Sequence, residues 1–207
     1  MKKYIPALRF SWLTKVYDPL IAFAMPELKF KKALIEQARV KAKHSVLDFG
    51  MGTATLSLLL KKEVPDSFVT GVDVDDKILS IAKRKIEENK AVIVVDIYDG
   101  LKLPYENNSF DRVITSLVFH HLDKEQKLNS LKEIYRVLKP AGELHIADWG
   151  KASNGFMRLA FYGVQLFDGF RTTKDNINGL LPEYINKAGF KDIKTGKSFN
   201  TIFGTLT

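Results

Sequence analysis

"SVLDFGMGTATLSLLLKK", Ser45 to Lys62, is the stretch on which the fold turns. Ser45–Phe49 is a short apolar run. Two glycines one residue apart follow, Gly50 and Gly52, and then a helix-like sequence. A strand-to-helix turn is built this way where backbone must lie close against a ligand. A dinucleotide would favour a third glycine at the position of Thr55, and it is missing.

Working outward from this turn, strand and helix patterns alternate. "SVLDF" reads as a buried strand and residues Thr53–Lys62 as a helix that ends before Pro65. "FVTGVD" predicts a second strand, followed by a helix over Asp76–Asn89 capped by Asp75 or Asp76. "AVIVV" predicts a third strand and "DRVITSLV" a fourth. Leu128, Leu131, Ile134, Tyr135 and Leu138 mark one face of a helix over Lys124–Leu138, stopped by Pro140, and "GELHIAD" is a fifth strand. This alternation implies a parallel sheet with right-handed crossovers, an α/β fold of Rossmann-like type with helices on both faces. The end of the chain differs. After a helix at about Asn176–Ala188, "FKDIKTGKSFNTIFGTLT" reads as two strands with a short turn near Asn200, a hairpin that would close the sheet with an antiparallel strand. Residues 1–44 predict two or three helices, an N-terminal helical cap. No repeat, low-complexity tract or linker interrupts the chain, so 1–207 is expected to form a single domain.

Length and composition agree. With 207 residues, 45% hydrophobic, the chain can bury one full core. No run of about 18 apolar residues exists to span a bilayer. Pro6, Arg9 and Lys15 interrupt any apolar signal segment near the start. There is no cysteine, which removes disulfides and thiol chemistry and fits a cytoplasmic location. The net charge of +8 is uneven: residues 1–45 carry +7, residues 46–150 carry −3 and residues 151–207 carry +4. The basic excess thus lies outside the glycine turn, as a solvated face or an anion-attracting surface.

In an open parallel sheet ligands bind beyond the carboxyl ends of the strands. Asp48, Asp73, Asp96 and Asp148 all fall at or near such ends. Asp73 stands about 20 residues after the glycines, where a carboxylate accepts hydrogen bonds from ribose hydroxyls. A pyrophosphate would call for the third glycine and a basic neighbour, whereas here an acidic residue, Asp48, precedes the turn. A ligand with a cationic group, a ribose and no phosphate fits these residues, and S-adenosylmethionine is such a ligand.

The runs "VLDFGMGTATLSLLL", "VTGVDVDDKILSIAKRK", "NSFDRVITSLVFHHL" and "LKEIYRVLKPAGELHIADW" resemble, in this order, the class I S-adenosylmethionine-dependent methyltransferases. The resemblance is to the branch with the ubiquinone/menaquinone biosynthesis methyltransferases. It covers nearly the whole chain, most strongly Val46–Trp149, and implies a seven-stranded sheet whose last strand is antiparallel. It also implies that Gly50 and Gly52 lie against the methionine part of the cofactor, with Asp48 nearby and Leu117 offering its carbonyl or side chain. Asp73 would bind the ribose hydroxyls, Val74 would lie against the adenine, and Asp96 with the backbone of Ile97 would read the adenine edge. The family usually has glycine where this chain has Ala54.

Methyl transfer is an in-line displacement in which alignment supplies much of the rate, and a base is needed only when the acceptor must lose a proton. His120 and His121 stand where the acceptor pocket of the resembling family opens, and His121 is the candidate base. Tyr17 resembles the N-terminal tyrosine that closes over the cofactor. The family's lid would comprise the N-terminal helices and residues 151–175, leaving 45–150 as cofactor-binding core and 176–207 as C-terminal helix and hairpin. Both lid segments are aromatic-rich, and Arg9, Lys15, Arg158 and Arg171 are candidates for an anionic group at the pocket mouth. A small, hydrophobic or lipid-like acceptor is therefore expected, with peripheral membrane contact as a further expectation. A nicotinamide oxidoreductase is disfavoured by Thr55 and by the hairpin end. A nucleic-acid methyltransferase is weakened by "SLVFHH" standing where an Asn/Asp-Pro-Pro-aromatic motif would be. A non-catalytic cofactor-binding module is opposed by the intact glycines and Asp73. No His and carboxylate spacing suggests a metal site.

Overall fold

A computed structural model of the protein describes residues 27–150, 175, 178–200 and 205–206. Five strands form one parallel sheet: β1 (Ser45–Phe49), β2 (Phe68–Asp73), β3 (Val94–Ile97), β4 (Phe110–Ser116) and β5 (Leu138–Ala147), in the order β3-β2-β1-β4-β5. The order reverses between β1 and β4, so the crevice for a ligand opens at their carboxyl ends.

Both faces are covered by helices. β1 reads as a continuous apolar run because it is central and buried on each side. Val46 points into one core with Phe30, Leu34, Ile35 and Ala38 of α1 (Glu27–Ala38) and Leu56 and Leu60 of α2 (Thr55–Glu63). Leu47 and Phe49 point into the other, with Leu131, Ile134 and Val137 of α4 (Lys124–Val137) and Tyr184 of α5 (Leu181–Lys187). Leu79, Ala82 and Ile86 of α3 (Asp76–Glu88) bury themselves with Met51 and Ala54. Asp75 caps α3, accepting from the Lys77 and Ile78 N–H groups, and Asp123 with Gln126 forms a capping box on α4. Among the described residues no helix is long and apolar enough to cross a membrane.

Several boundaries differ from expectation, among them the start of α5, at Leu181 where about Asn176 is expected, with residues 178–180 outside the helix. Helix α2 begins at Thr55, not Thr53, because the chain first winds through three left-handed residues, Gly50, Gly52 and Ala54, at φ 69°, 53° and 63°. Strand β3 is displaced towards Ile97, held by its pairing from Thr70↔Val94 to Asp73↔Ile97. Strand β4 stops at Ser116 because Leu117 turns to φ 60°. Strand β5 starts four residues early, pairing Leu138 with Phe110 before a register shift, and Pro140 is tolerated because it falls within that irregularity, between the Leu138↔Phe110 and Glu143↔Arg112 pairs.

The described residues make a five-stranded parallel sheet, short of the seven strands expected. Residues 190–198 form no strand. A hairpin-like pair is present further on: β6 (Phe199–Asn200) runs antiparallel to β7 (Thr205–Leu206) as a separate two-stranded sheet. It meets the end of β5 through the Gly150 N–H, which donates to the Thr205 carbonyl at 2.8 Å. Of the helical cap, α1 is described, and the rest of residues 1–44 up to 26 lies outside the described residues, as do residues 151–174.

Candidate active site

The glycine turn leaves β1 and doubles back over β2. The Gly50 and Met51 N–H groups donate to the Val72 carbonyl at 2.9 and 3.0 Å, and the Met51 carbonyl accepts from Ala54 N–H. The two glycines are required for different reasons. A Cβ on Gly50 would run into the Val118 side chain from β4's exit, whereas a Cβ on Gly52 would meet no protein atom within 4 Å. Open space over a left-handed glycine at the switch point is room for a ligand to approach backbone. Ala54 accounts for the family's usual glycine: at φ 63° a methyl group costs about 1–2 kcal/mol in backbone conformation, while its buried side chain packs with Met51 and Leu79.

Asp73, at the end of β2, organises this turn. Its Oδ2 accepts the Gly52 N–H at 3.0 Å, and its Oδ1 accepts the N–H groups of Val74 (2.8 Å) and Asp75 (3.2 Å). A carboxylate offers about four acceptor positions, so one remains for a ligand. Asp48 lies beneath the turn, 1% exposed, with Oδ2 accepting the Ser57 hydroxyl at 2.6 Å. Burial, with the nearby Asp73 charge, raises its carboxyl pKa to about 6, against the opposing effects of Ser57 and Lys31. Two carboxylates this close around a turn are suited to a cation. Thr55, standing where a dinucleotide turn has its third glycine, accepts a hydrogen bond from Lys85 Nζ of α3 at 2.8 Å.

Asp96 and Ile97 end β3. The Asp96 carboxylate accepts the Tyr105 hydroxyl at 3.1 Å, and burial followed by the Asp96 charge pushes the Tyr105 pKa well up, so it stays a donor. Asp96 and Ile97 line a cavity of about 320 Å³ together with Val95, Pro104 and Asp76, Leu79 and Lys83 of α3. Neither Gly52 nor Asp73 lines it, so it flanks the switch point by one strand and does not contain it. Val74 is partly buried between the two places.

On the other side of Gly50 the exits of β4 and β5 meet. Leu117 N–H donates to the Ala147 carbonyl at 2.8 Å. A 3₁₀ turn, Phe119–His121, follows. His120, not His121, faces a carboxylate: its Nδ1 lies 2.8 Å from Asp148 Oδ1 in a buried pair. The His121 ring centroid is 3.9 Å from that of His120. Burial, then the neighbouring His120, lowers the His121 pKa to about 3, so the ring is neutral at physiological pH. Behind them Lys127 of α4 is fully buried, its Nζ 3.9 Å from Asp175 Oδ2, which also accepts the Tyr184 hydroxyl.

The fold thus brings Asp48, Gly50, Gly52, Asp73 and Leu117 together at the switch point, with Val74, Asp96 and Ile97 beside it and His121 beyond Leu117. Tyr17, Arg9, Lys15, Arg158 and Arg171 lie outside the described residues. Sequence reasoning missed Ser57, Lys85, Tyr105 and Val118, because each acts through a contact made across elements that no local pattern announces.

The open backbone at Gly52 and the acidic surround of Asp48 and Asp73 fit S-adenosylmethionine. Comparison with known proteins agrees. The family described as "Methyltransferase domain" matches residues 46–142. A demethylmenaquinone methyltransferase of Thermus thermophilus is 31% identical over 155 residues, covering 73% of this chain and 69% of the relative. One from Listeria welshimeri is 30% identical, covering 78% and 71%. The crystal structure of a SAM-dependent methyltransferase from Aquifex aeolicus superposes with a TM-score of 0.67 at 21% identity, covering 91% of this chain and 94% of that one. The chain belongs to the class I S-adenosylmethionine-dependent methyltransferases, in the branch of the quinone-biosynthesis enzymes.

Proposed function

We propose that the protein methylates a hydrophobic, quinol-like acceptor. The observation that carries this is the kinship with two demethylmenaquinone methyltransferases over more than two thirds of their length. The aromatic-rich segments expected to form the acceptor pocket support it, with Tyr17 as the closing residue. In this reading the complete sheet has seven strands and the β6–β7 pair belongs to its antiparallel end. The enzyme works in the cytoplasm and meets its acceptor at a membrane surface through its basic ends.

Bound S-adenosylmethionine supplies a methyl group activated by a sulfonium. Gly50 and Gly52 admit its methionine portion against bare backbone, Asp48 supplies the opposing charge, and the Leu117 carbonyl orients the amino end. Asp73 holds the ribose hydroxyls, while Val74, Asp96 and the Ile97 backbone hold the adenine. His121, neutral at physiological pH, accepts a hydrogen bond from an acceptor hydroxyl and holds a proton only weakly. The rate then rests mainly on alignment.

Asp73→Ala is expected to weaken cofactor binding by about 1–3 kcal/mol through loss of a charge-assisted bond. It should also lower the melting temperature, since three backbone N–H groups lose their acceptor. Asp96→Ala should have a smaller effect on binding, and calorimetry on both variants measures the difference. The acceptor is tested by a methyl-transfer screen with labelled cofactor over demethylmenaquinol, simple phenols, lipids, polar amines and RNA. Turnover of the quinol or phenols is expected. Turnover confined to amines or RNA overturns the acceptor, and cofactor binding without any turnover points to a non-catalytic module.

A further inference from the structure

Asp148 has no role in the reading above, yet its carboxylate is among the most heavily bonded polar groups described. Its Oδ2 accepts the N–H groups of Val118 (3.1 Å) and Phe119 (2.7 Å). Its Oδ1 accepts the Trp149 N–H at 2.7 Å and faces His120 Nδ1 at 2.8 Å. Asp148 and His120 are 2% and 3% exposed. Burial acts to raise the Asp148 pKa, but His120 and the backbone donors outweigh it and hold it below the ordinary range, so the group is a fixed anion.

What this anion holds is the exit of β4. Immediately before Val118, Leu117 sits at φ 60°, a left-handed conformation that is strained for a non-glycine residue and persists only where surroundings impose it. Val118 in turn stands where a Cβ of Gly50 would be. A line of direct contacts therefore runs from His120 to Asp148, to the Val118 N–H, and through the Val118 side chain to the glycine turn.

We propose that Asp148 and His120 are positioning residues for the cofactor: the pair pins the β4 exit so that Val118 forms the wall against Gly50 and Leu117 turns its carbonyl towards the methionine end. This rests on the methyltransferase reading of the glycine turn. His120 acts through Asp148 here and not on the reacting atoms. Its ring Nδ1 is the group the arrangement needs, and a side-chain amide nitrogen can replace it.

The experiment measures S-adenosylhomocysteine affinity by calorimetry, with melting temperatures of the ligand-free proteins alongside. His120→Leu is expected to weaken binding at least tenfold, and His120→Asn, which keeps a donor near the Nδ1 position, to stay within about threefold of wild type. A purely structural role would lower both melting temperatures without this rescue. The contact with Gly50 is tested separately, because His120→Leu is able to impair folding. Gly50→Ala should cost far more affinity in the wild-type background than in a Val118→Ala background, where the wall has been removed. Wild-type affinity in His120→Leu, or an equal Gly50→Ala penalty in both backgrounds, overturns the positioning role. Absence of binding to the wild-type protein overturns instead the reading on which it rests.

Discussion

Gly52→Val is expected to abolish S-adenosylmethionine binding while leaving the protein folded. A Cβ added here meets nothing within 4 Å beyond its chain neighbours, so the side chain starts into open space and not into the core. The cost to the fold is the left-handed backbone at φ 53°, about 1–3 kcal/mol for a non-glycine residue. The branched side chain instead fills the open space above the turn, where the ligand's methionine portion would lie. Calorimetry should register no heat with the cofactor, and thermal melting should remain cooperative. Binding within tenfold of wild type would mean that the ligand does not use this space. Gly50→Ala makes the informative contrast, since its Cβ collides with Val118 and the fold itself is expected to suffer.

The second large effect runs in opposite directions for stability and binding. Asp48→Asn should stabilise the ligand-free protein at pH 8 and weaken the cofactor. Folding raises the Asp48 pKa from 3.8 to about 6, chiefly by burial. Below pH 3.8 the group is protonated in both states and costs nothing. As pH rises from 3.8 through 6 the unfolded chain gives up its proton more readily, so stability is lost, and above 6 the full cost of about 3 kcal/mol applies. The asparagine carries no such cost and still accepts the Ser57 hydroxyl. The melting temperature of Asp48→Asn relative to wild type should therefore be unchanged near pH 3.5 and higher at pH 8. A cation bound above the turn favours the ionised carboxylate, so wild-type affinity should climb between pH 5 and pH 7, and Asp48→Asn should lose both the climb and about tenfold in affinity. A variant less stable than wild type at pH 8 would show that the buried charge is not a cost.

The central strands and the glycine turn were legible from sequence because their signals are local. β1 and β2 are found where expected, and α3 and α4 begin where expected: apolar runs, caps and glycine punctuation all act within a few residues. β3 was misplaced because "AVIVVDI" is apolar over a span longer than the strand. Only its pairing to β2 chooses Val94–Ile97. The early start of β5 is hidden by Pro140, which reads as a helix stop and is admissible because it falls in the register shift between β4 and β5. In the site, the spacing that sets Gly52 beside Asp73 reflects one turn and one crossover. That His120 and not His121 takes the carboxylate is not legible, since two adjacent histidines are equivalent in sequence. The choice is made by the Ser116↔Ala147 register, which carries Asp148 alongside the 3₁₀ turn.

The packing of Met51 bears on which single changes the gene can accept. Met51 lies in the glycine turn with its side chain flat on Gly71 of β2, so that a Cβ added at Gly71 would overlap the Met51 sulfur and terminal methyl, with Met51 Cβ itself 3.1 Å away. The two positions therefore share one volume, and the order in which they change matters. Gly71→Ala in the present background pushes Met51 up into the turn that carries Gly50 and Gly52. Once Met51 has been replaced by alanine, the same step at position 71 refills the vacated space. One mutational route between these states passes through a blocked intermediate and the other through a merely underpacked one, so a library randomised at both positions should recover a long residue at 51 only with glycine at 71.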